Sequence, residues 1–371
     1  MTRSLHHARD RSFARELRLP APGPIRVMLV DDSLTVRTVL ARIMEAEADI
    51  ALVAQASTAE NALAQLAAAR PDVILLDLEM PGMGGLKALP RILAEATGVQ
   101  VLVVSSLTEA GAWHSLEALT AGAADTMPKP RPGDFDLSYR KQLVAKIRAL
   151  GRRGDGADPV SSAPPKVERP GRRRPGKPAR LVAIGASTGG VHAISTVLRG
   201  LPPGYALPIL ITQHIPPSFV PVFARQLQLA SGRETVVAED GTPVRPGRVI
   251  LAPGHAHMVL RNRAGTLVTG LSAEPAPSGC CPAVDPMLTS IASACDGAAV
   301  ALILSGMGRD GLIGATGLVE AGGTVIAQDA ESCAVWGMPK AVTLAGIAAE
   351  TLPPEKIAPW LVAFSGAAPW K

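Results

Sequence analysis

Aromatic residues are nearly missing from this 371-residue chain: Phe, Trp and Tyr make up 3% of it, whereas 47% of its residues are apolar. Its cores must therefore be aliphatic, built from Val, Ile, Leu and Ala. No apolar run approaches the ~18 residues a membrane-spanning helix needs, so no membrane insertion is expected. Cysteine is as scarce. Cys280, Cys281, Cys295 and Cys333 form no secreted disulfide framework, no zinc-type spacing and no Cys-x-x-Cys. That usage points to a reducing cytoplasm. The thiols are expected to be buried and inert, with oxidation sensitivity left open for the adjacent Cys280 and Cys281. Residues 1–24 carry five Arg and no apolar block, so they are no secretory signal and read as a disordered extension.

The net charge of +5 is unevenly spread. Residues 146–180 hold eleven Lys or Arg against three Asp or Glu, so the rest of the chain is net acidic. A basic run can mark nucleic-acid binding. This one is broken by Pro and Gly and has no aromatics to stack on bases, so no nucleic-acid partner is expected. Its central part, residues 150–179, cannot bury enough apolar surface to fold and reads as a linker. It separates two segments of domain size, 25–149 and 180–365.

Both segments alternate short apolar runs with helical stretches, the pattern of a parallel sheet covered on both faces. The first has runs at Arg26–Val30, Ala51–Ala54, Val73–Leu76 and Val101–Val104 and fits five strand–helix units. The second has runs at Leu181–Ile184, Ile209–Thr212, Val249–Ala252, Val300–Leu304 and Thr324–Ala327. Residues 236–282 are less helical, with turn signals at Asp240-Gly241 and Pro253-Gly254, so a small β-hairpin insert is expected there. The fold class is α/β throughout, with the second segment doubly wound.

In the first segment, VMLVDDS ends a strand at Asp31 and Asp32, VILLDLEMPGM ends another at Asp77, and VLVVSS ends a third at Ser105; Lys129 follows in MPKP. Residues just past the carboxyl ends of parallel strands converge on one crevice. Three carboxylates there repel one another and call for a hard cation such as Mg²⁺, with Asp77 the attacking carboxylate for a phosphoryl group. The segment resembles the response-regulator receiver family over about 120 residues. The resemblance implies a flavodoxin-like parallel sheet of order 2-1-3-4-5. It also implies phosphorylation of Asp77 by a histidine kinase, Mg²⁺ on Asp31, Asp32 and Asp77, a switch hydroxyl at Ser105 and a phosphate partner at Lys129. Two positions depart from the family pattern: Gly84, where an Asp is usual, and Thr126, where an aromatic switch residue is common.

In the second segment, LVAIGASTGGVHAISTVLRGL reads as strand, glycine turn and helix, with Ser187 exposed on the turn at a helix N-terminus. GASTGG does not match the dinucleotide fingerprint G-x-G-x-x-G. ILITQHIPPSF and VALILSGMGRDG bring His214 and Asp310 to two further strand ends. Alone, Ser187 would serve as a helix cap and His214 as a core histidine. Together with Asp310 they are what acyl transfer requires: a hydroxyl, a base to accept its proton, and a carboxylate to orient the base. Their chain order differs from those of the α/β-hydrolase, chymotrypsin and subtilisin families.

IGASTGG, TQHIPPSF, GMGRDG and WGMPKAV make the second segment similar to the chemotaxis protein-glutamate methylesterase catalytic domain. A receiver placed before it is that family's architecture. The resemblance implies hydrolysis of glutamate γ-methyl esters on the cytoplasmic helices of chemoreceptors, and deamidation of receptor glutamines. Ser187 would be the nucleophile, His214 the base and Asp310 its orienting acid. The Met307 amide would belong to the oxyanion hole and Thr188 would support the site, with no cofactor there. The unphosphorylated receiver would cover Ser187. His257 falls where the family has a histidine at the active-site rim; the alternative, a His-x-His metal pair with His255, has no evident third ligand. Cys281-Pro282-Ala283 replaces the usual Arg-Pro-Ser. That change keeps open a related hydrolase acting outside chemotaxis, beside a non-catalytic signalling adaptor.

Overall fold

The computed structural model describes residues 23–106, 108–129, 137–152 and 178–365. Residues 1–22 of the expected extension and 153–177 of the expected linker lie outside the described residues. The first sheet comprises β1 (Ile25–Val30), β2 (Ile50–Ala56), β3 (Val73–Asp77), β4 (Gln100–Ser105) and β5 (Asp125–Pro128). They are interleaved with α1 (Leu34–Glu45), α2 (Ala59–Ala69), α3 (Gly85–Glu95), α4 (Glu109–Thr120) and α5 (Leu137–Gly151). All pairings are parallel and the strand order is 2-1-3-4-5, as expected of a receiver. The central strand β3 is buried on both faces, which is why its sequence is continuously apolar up to Asp77.

The second unit contains β6 (Leu181–Ala186), α6 (Gly190–Gly200), β7 (Ile209–Gln213), α7 (Val220–Ser231), β8 (Thr235–Val237), β9 (Val249–Leu251), β10 (His257–Arg263), β11 (Thr266–Ser272) and α8 (Val284–Ala294). It continues with β12 (Ala299–Ile303), α9 (Leu312–Glu320), β13 (Thr324–Gln328), α10 (Met338–Leu344), β14 (Glu350–Leu352) and α11 (Pro354–Ser365). Seven strands form one parallel sheet of order 14-13-12-6-7-9-8. The chain leaves β6 toward β7 on one side, while β12 pairs on the other. This reversal opens a crevice above the carboxyl ends of β6, β7 and β12.

The expected hairpin is β10–β11, an antiparallel pair. Its turn is Ala264-Gly265, both at positive φ, and not either of the anticipated dipeptides. The Asn262 side chain accepts a hydrogen bond from the Gly265 amide and stabilises this turn.

The two units touch through α4, which rests on α6 and α7. The Arg225 guanidinium lies 5.5 Å from the centroid of the Trp113 ring. The Thr120 hydroxyl bonds Gln226, and the Thr120 carbonyl meets the His192 ring. Among the described residues, no helix is long and apolar enough to cross a membrane.

Candidate active site and receiver pocket

The receiver pocket is assembled by strand ends. Asp31 follows β1 and Asp77 closes β3; both are buried, whereas Asp32 is exposed. Lys129 Nζ lies 2.7 Å from Asp77 Oδ2, 3.2 Å from Asp31 Oδ2 and 4.0 Å from Asp32 Oδ1. Burial, then the charge of Asp77, raises the Asp31 carboxyl above its usual range; burial also raises Asp77, outweighing Lys129. One ammonium thus faces three carboxylates. One oxygen of each lies within 4.8 Å of the others, and Asp31 Oδ2 is buried with Lys129 as its charged neighbour. An all-carboxylate set with a single ammonium against three carboxylates fits a hard divalent cation such as Mg²⁺.

Gly85 lies directly behind this pocket. A Cβ there would meet the Asp77 carbonyl oxygen at 2.0 Å. Gly85→Ala is therefore expected to cost about 3 kcal/mol, the upper end for overpacking, seen as a lower urea midpoint at unchanged slope. Gly84, one of the two departures from the receiver pattern, has φ +72°, a conformation glycine adopts freely. The Ser105 hydroxyl is hydrogen-bonded to Ser115 on α4 at 2.5 Å.

In the second unit Ser187 occupies the turn between β6 and α6. Its amide donates to the Ser305 carbonyl, and its carbonyl accepts from the Gln213 side chain at 2.8 Å. The turn is too tight for side chains: a Cβ on Gly189 would meet Ser305 Oγ at 2.6 Å, and one on Gly190 would meet Gln213 Oε1 at 2.3 Å. The loop after β12 presses on Ser187 from above, since a Cβ on Gly306 would lie 2.8 Å from Ser187 Cβ. The Gly306 carbonyl accepts from the Met338 amide at 2.8 Å, which pins the loop that carries the exposed Met307.

The end of β7 carries His214, whose amide donates to the Ala186 carbonyl. His214 Nε2 is 2.8 Å from Asp310 Oδ2. Asp310 is buried and accepts three further hydrogen bonds from the amides of Val284, Asp285 and Gly311. Burial works to raise this carboxyl, but the His214 and Val284 donors hold it below the usual range. Neighbouring Asp285 is pushed up to about 6 by burial and then by the Asp310 charge. For His214, burial favours the neutral ring; hydrogen bonds to Asp310 and Cys280 overcome it and push the imidazole up to about 9.

Ser187 and His214 line one cleft of about 240 Å³, and Asp310 backs the imidazole. The opposite wall of the cleft belongs to the receiver: Ser105, Ser106, residues 124–128 and Lys146. Thr188 holds the two walls together. Its hydroxyl donates to Asp125 Oδ2 at 2.5 Å, and the same carboxylate is bonded by Lys146. One residue on, the Gly189 amide donates to the Ala124 carbonyl at 2.6 Å. His257 is buried behind the site, where its Nδ1 accepts from the Ala283 amide; His255 is exposed. Gln213 and Ser305 sit inside the runs TQHIPPSF and VALILSGMGRDG but are given no role by the sequence, and Asp125, Asp285 and the approach of Cys280 to His214 fall in no run with its own chemical signature.

These features define a class: a response regulator in which a receiver domain is joined to a doubly wound domain whose cleft is lined by Ser187 and by His214, itself bonded to Asp310. The family model for the response regulator receiver domain matches residues 27–136, and that for CheB methylesterase matches residues 182–361. The chain is 44% identical to a protein-glutamate methylesterase/protein-glutamine glutaminase of Paramagnetospirillum magneticum, over 92% of this chain and 97% of that protein. An Azospirillum brasilense protein of the same description is 43% identical over 93% and 94%. The chain belongs to the protein-glutamate methylesterase family. Among solved structures, the Thermotoga maritima CheB methylesterase catalytic domain is 39% identical and covers 50% of this chain and 98% of its own, with a TM-score of 0.49.

Proposed function

We propose that the chain is a cytoplasmic enzyme that hydrolyses glutamate γ-methyl esters on chemoreceptor helices and deamidates receptor glutamines, under control of Asp77 phosphorylation. The observation that carries the proposal is the cleft shared by Ser187 and His214, with Asp310 fixing the imidazole. Ser187 attacks the ester carbonyl as His214 takes its proton; the Met307 amide stabilises the oxyanion and methanol leaves. Water, deprotonated by His214, then releases the glutamate carboxylate. Asp310 keeps the imidazolium stable between these steps.

In the receiver, Asp31, Asp32 and Asp77 would hold Mg²⁺, which supplies neutralising charge for an incoming phosphoryl group. Asp77 attacks the phosphorus of a histidine-kinase phosphodonor, and Lys129 pairs with the transferred oxygens. Ser105 turns from Ser115 toward the new phosphoryl group. That rotation releases a bond to α4, the helix that rests on the esterase unit.

The base must be neutral to accept a proton, so the imidazole at about 9 sets the sign of the pH dependence. Below that pH most of the base is protonated. The kcat/KM for a model ester is expected to rise about tenfold per pH unit and level off near pH 9. A plateau already reached near an ordinary histidine value would show that Asp310 and Cys280 do not raise the His214 imidazole in the working enzyme. The substrate is tested by methanol release from a methylated receptor.

A further inference from the structure

The segment between β11 and α8 carries Cys280 to the imidazole. A ring nitrogen of His214, Cys280 Sγ and a carboxylate oxygen of Asp310 all lie within 4.8 Å of one another. The four cysteines are otherwise disposed differently: Cys295 and Cys333 are buried, Cys281 is exposed and Cys280 is half-buried. The chain around the thiol is anchored on both sides. The Cys280 amide donates to Ser278 Oγ at 3.3 Å, the Ala283 amide to His257 Nδ1 at 2.9 Å, and the Val284 amide to Asp310 Oδ2 at 2.7 Å.

A metal ion is the first occupant to weigh for a Cys–His–Asp trio. Asp310 argues against it. Oδ2 already accepts from His214 and Val284, and Oδ1 from Asp285 and Gly311, so no carboxylate lone pair is left for a ligand bond. What remains is a thiol against an imidazole that is itself held by a carboxylate. Such a neighbour favours the thiolate, the reactive form of cysteine. The His214 hydrogen bond holds the Cys280 thiol below its usual range, with burial opposing it.

We propose that Cys280 is an oxidant-reactive modification site, and that its oxidation by a peroxide reversibly blocks the esterase by capping His214. The thiolate sulfur attacks one oxygen of hydrogen peroxide; an S–O bond forms as the O–O bond breaks. Sulfur is oxidised by two electrons to a sulfenic acid, and the departing hydroxide takes the proton of the His214 imidazolium and leaves as water. The sulfenic hydroxyl then stands against the His214 ring, which must receive the Ser187 proton. A low-molecular-weight thiol reverses the block. It attacks the sulfenic sulfur to give a mixed disulfide and water, and a second thiol displaces Cys280 as its thiol. Only the inhibition rests on the esterase reading; the chemistry at sulfur does not.

The test uses the full-length protein and graded hydrogen peroxide. Sulfenic acid is trapped with dimedone and located by peptide mass spectrometry. Iodoacetamide alkylation of each cysteine is followed against pH, and model-ester hydrolysis is measured before peroxide, after it and after dithiothreitol. Cys280 is expected to trap about tenfold more dimedone than Cys281 and to alkylate with a lower midpoint, which rises in His214→Gln. Hydrolysis is expected to fall at least about fivefold and return with dithiothreitol, the fall being absent in Cys280→Ser and retained in Cys281→Ser. Equal trapping at Cys280 and Cys281, or an alkylation midpoint unmoved in His214→Gln, would overturn the thiolate. Equal peroxide inactivation of Cys280→Ser and wild type would overturn the block. If no ester is hydrolysed at all, the esterase reading fails, while trapping and alkylation still decide the chemistry at Cys280.

Discussion

Ser187→Ala is expected to slow model-ester hydrolysis by about 10⁴- to 10⁶-fold, the range found when the nucleophile of such a triad is removed. The thermal midpoint should not move. The turn that presents Ser187 is held by its backbone: the amide donates to Ser305 and the carbonyl accepts from Gln213. The hydroxyl carries none of that load. His214, Asp310 and the loop bearing Met307 stay in place, so a residual rate above water is expected from the oxyanion site. A folded Ser187→Ala protein that retains a tenth of the activity would move the nucleophile elsewhere, with Cys280 the first group to test.

The second large effect concerns the receiver. A small phosphodonor with Mg²⁺ is expected to raise the esterase rate at least tenfold, and Asp77→Asn to abolish that rise. Complete reversal of an occluded state from 1:99 to 99:1 would take about 5.5 kcal/mol. Part of this resides in the bond from Thr188 to Asp125, which crosses between the units, since hydrogen bonds to charged groups contribute about 1.5–3 kcal/mol. Asp125→Ala removes this bond, together with the Lys146 pair inside the receiver. It should raise the unphosphorylated rate by about tenfold, the equivalent of 1.4 kcal/mol, and shrink the response to phosphodonor correspondingly. Rates that are the same with and without phosphodonor, in wild type and in Asp125→Ala alike, would remove the occlusion account.

The parts of the fold that could be read from sequence are those whose physics is local. Buried central strands such as β3 and β12 must be continuously apolar, and a polar residue at a carboxyl end is conspicuous; Asp77 was visible for that reason, and Asp310 through the GMGRDG run in the loop after β12. Strands β5, β8 and β14 were not. Each is short, and each sits at a sheet edge with one neighbour and intermediate or exposed positions, so no apolar run marks it. The hairpin was expected from composition, but its turn uses Ala264-Gly265 while the stronger signal, Asp240-Gly241, belongs to a loop. At the site, the residue types of the triad were legible, whereas their partners were not. The bond from Thr188 to Asp125 crosses between units. The approach of Cys280 to His214 joins the β11–α8 segment to the residue that follows β7. Contacts of that kind follow from tertiary packing and leave no periodic trace.

The central claim is that a hydroxyl on the β6–α6 turn hydrolyses the methyl ester of a protein glutamate. Its most direct test is methanol release from a chemoreceptor methylated with a radiolabelled methyl group, measured with the full-length protein, phosphodonor and Mg²⁺. Steady release by the wild type and none above background by Ser187→Ala is the predicted result. Release that persists in Ser187→Ala, or a wild type that cleaves small esters yet leaves the methylated receptor intact, would contradict it.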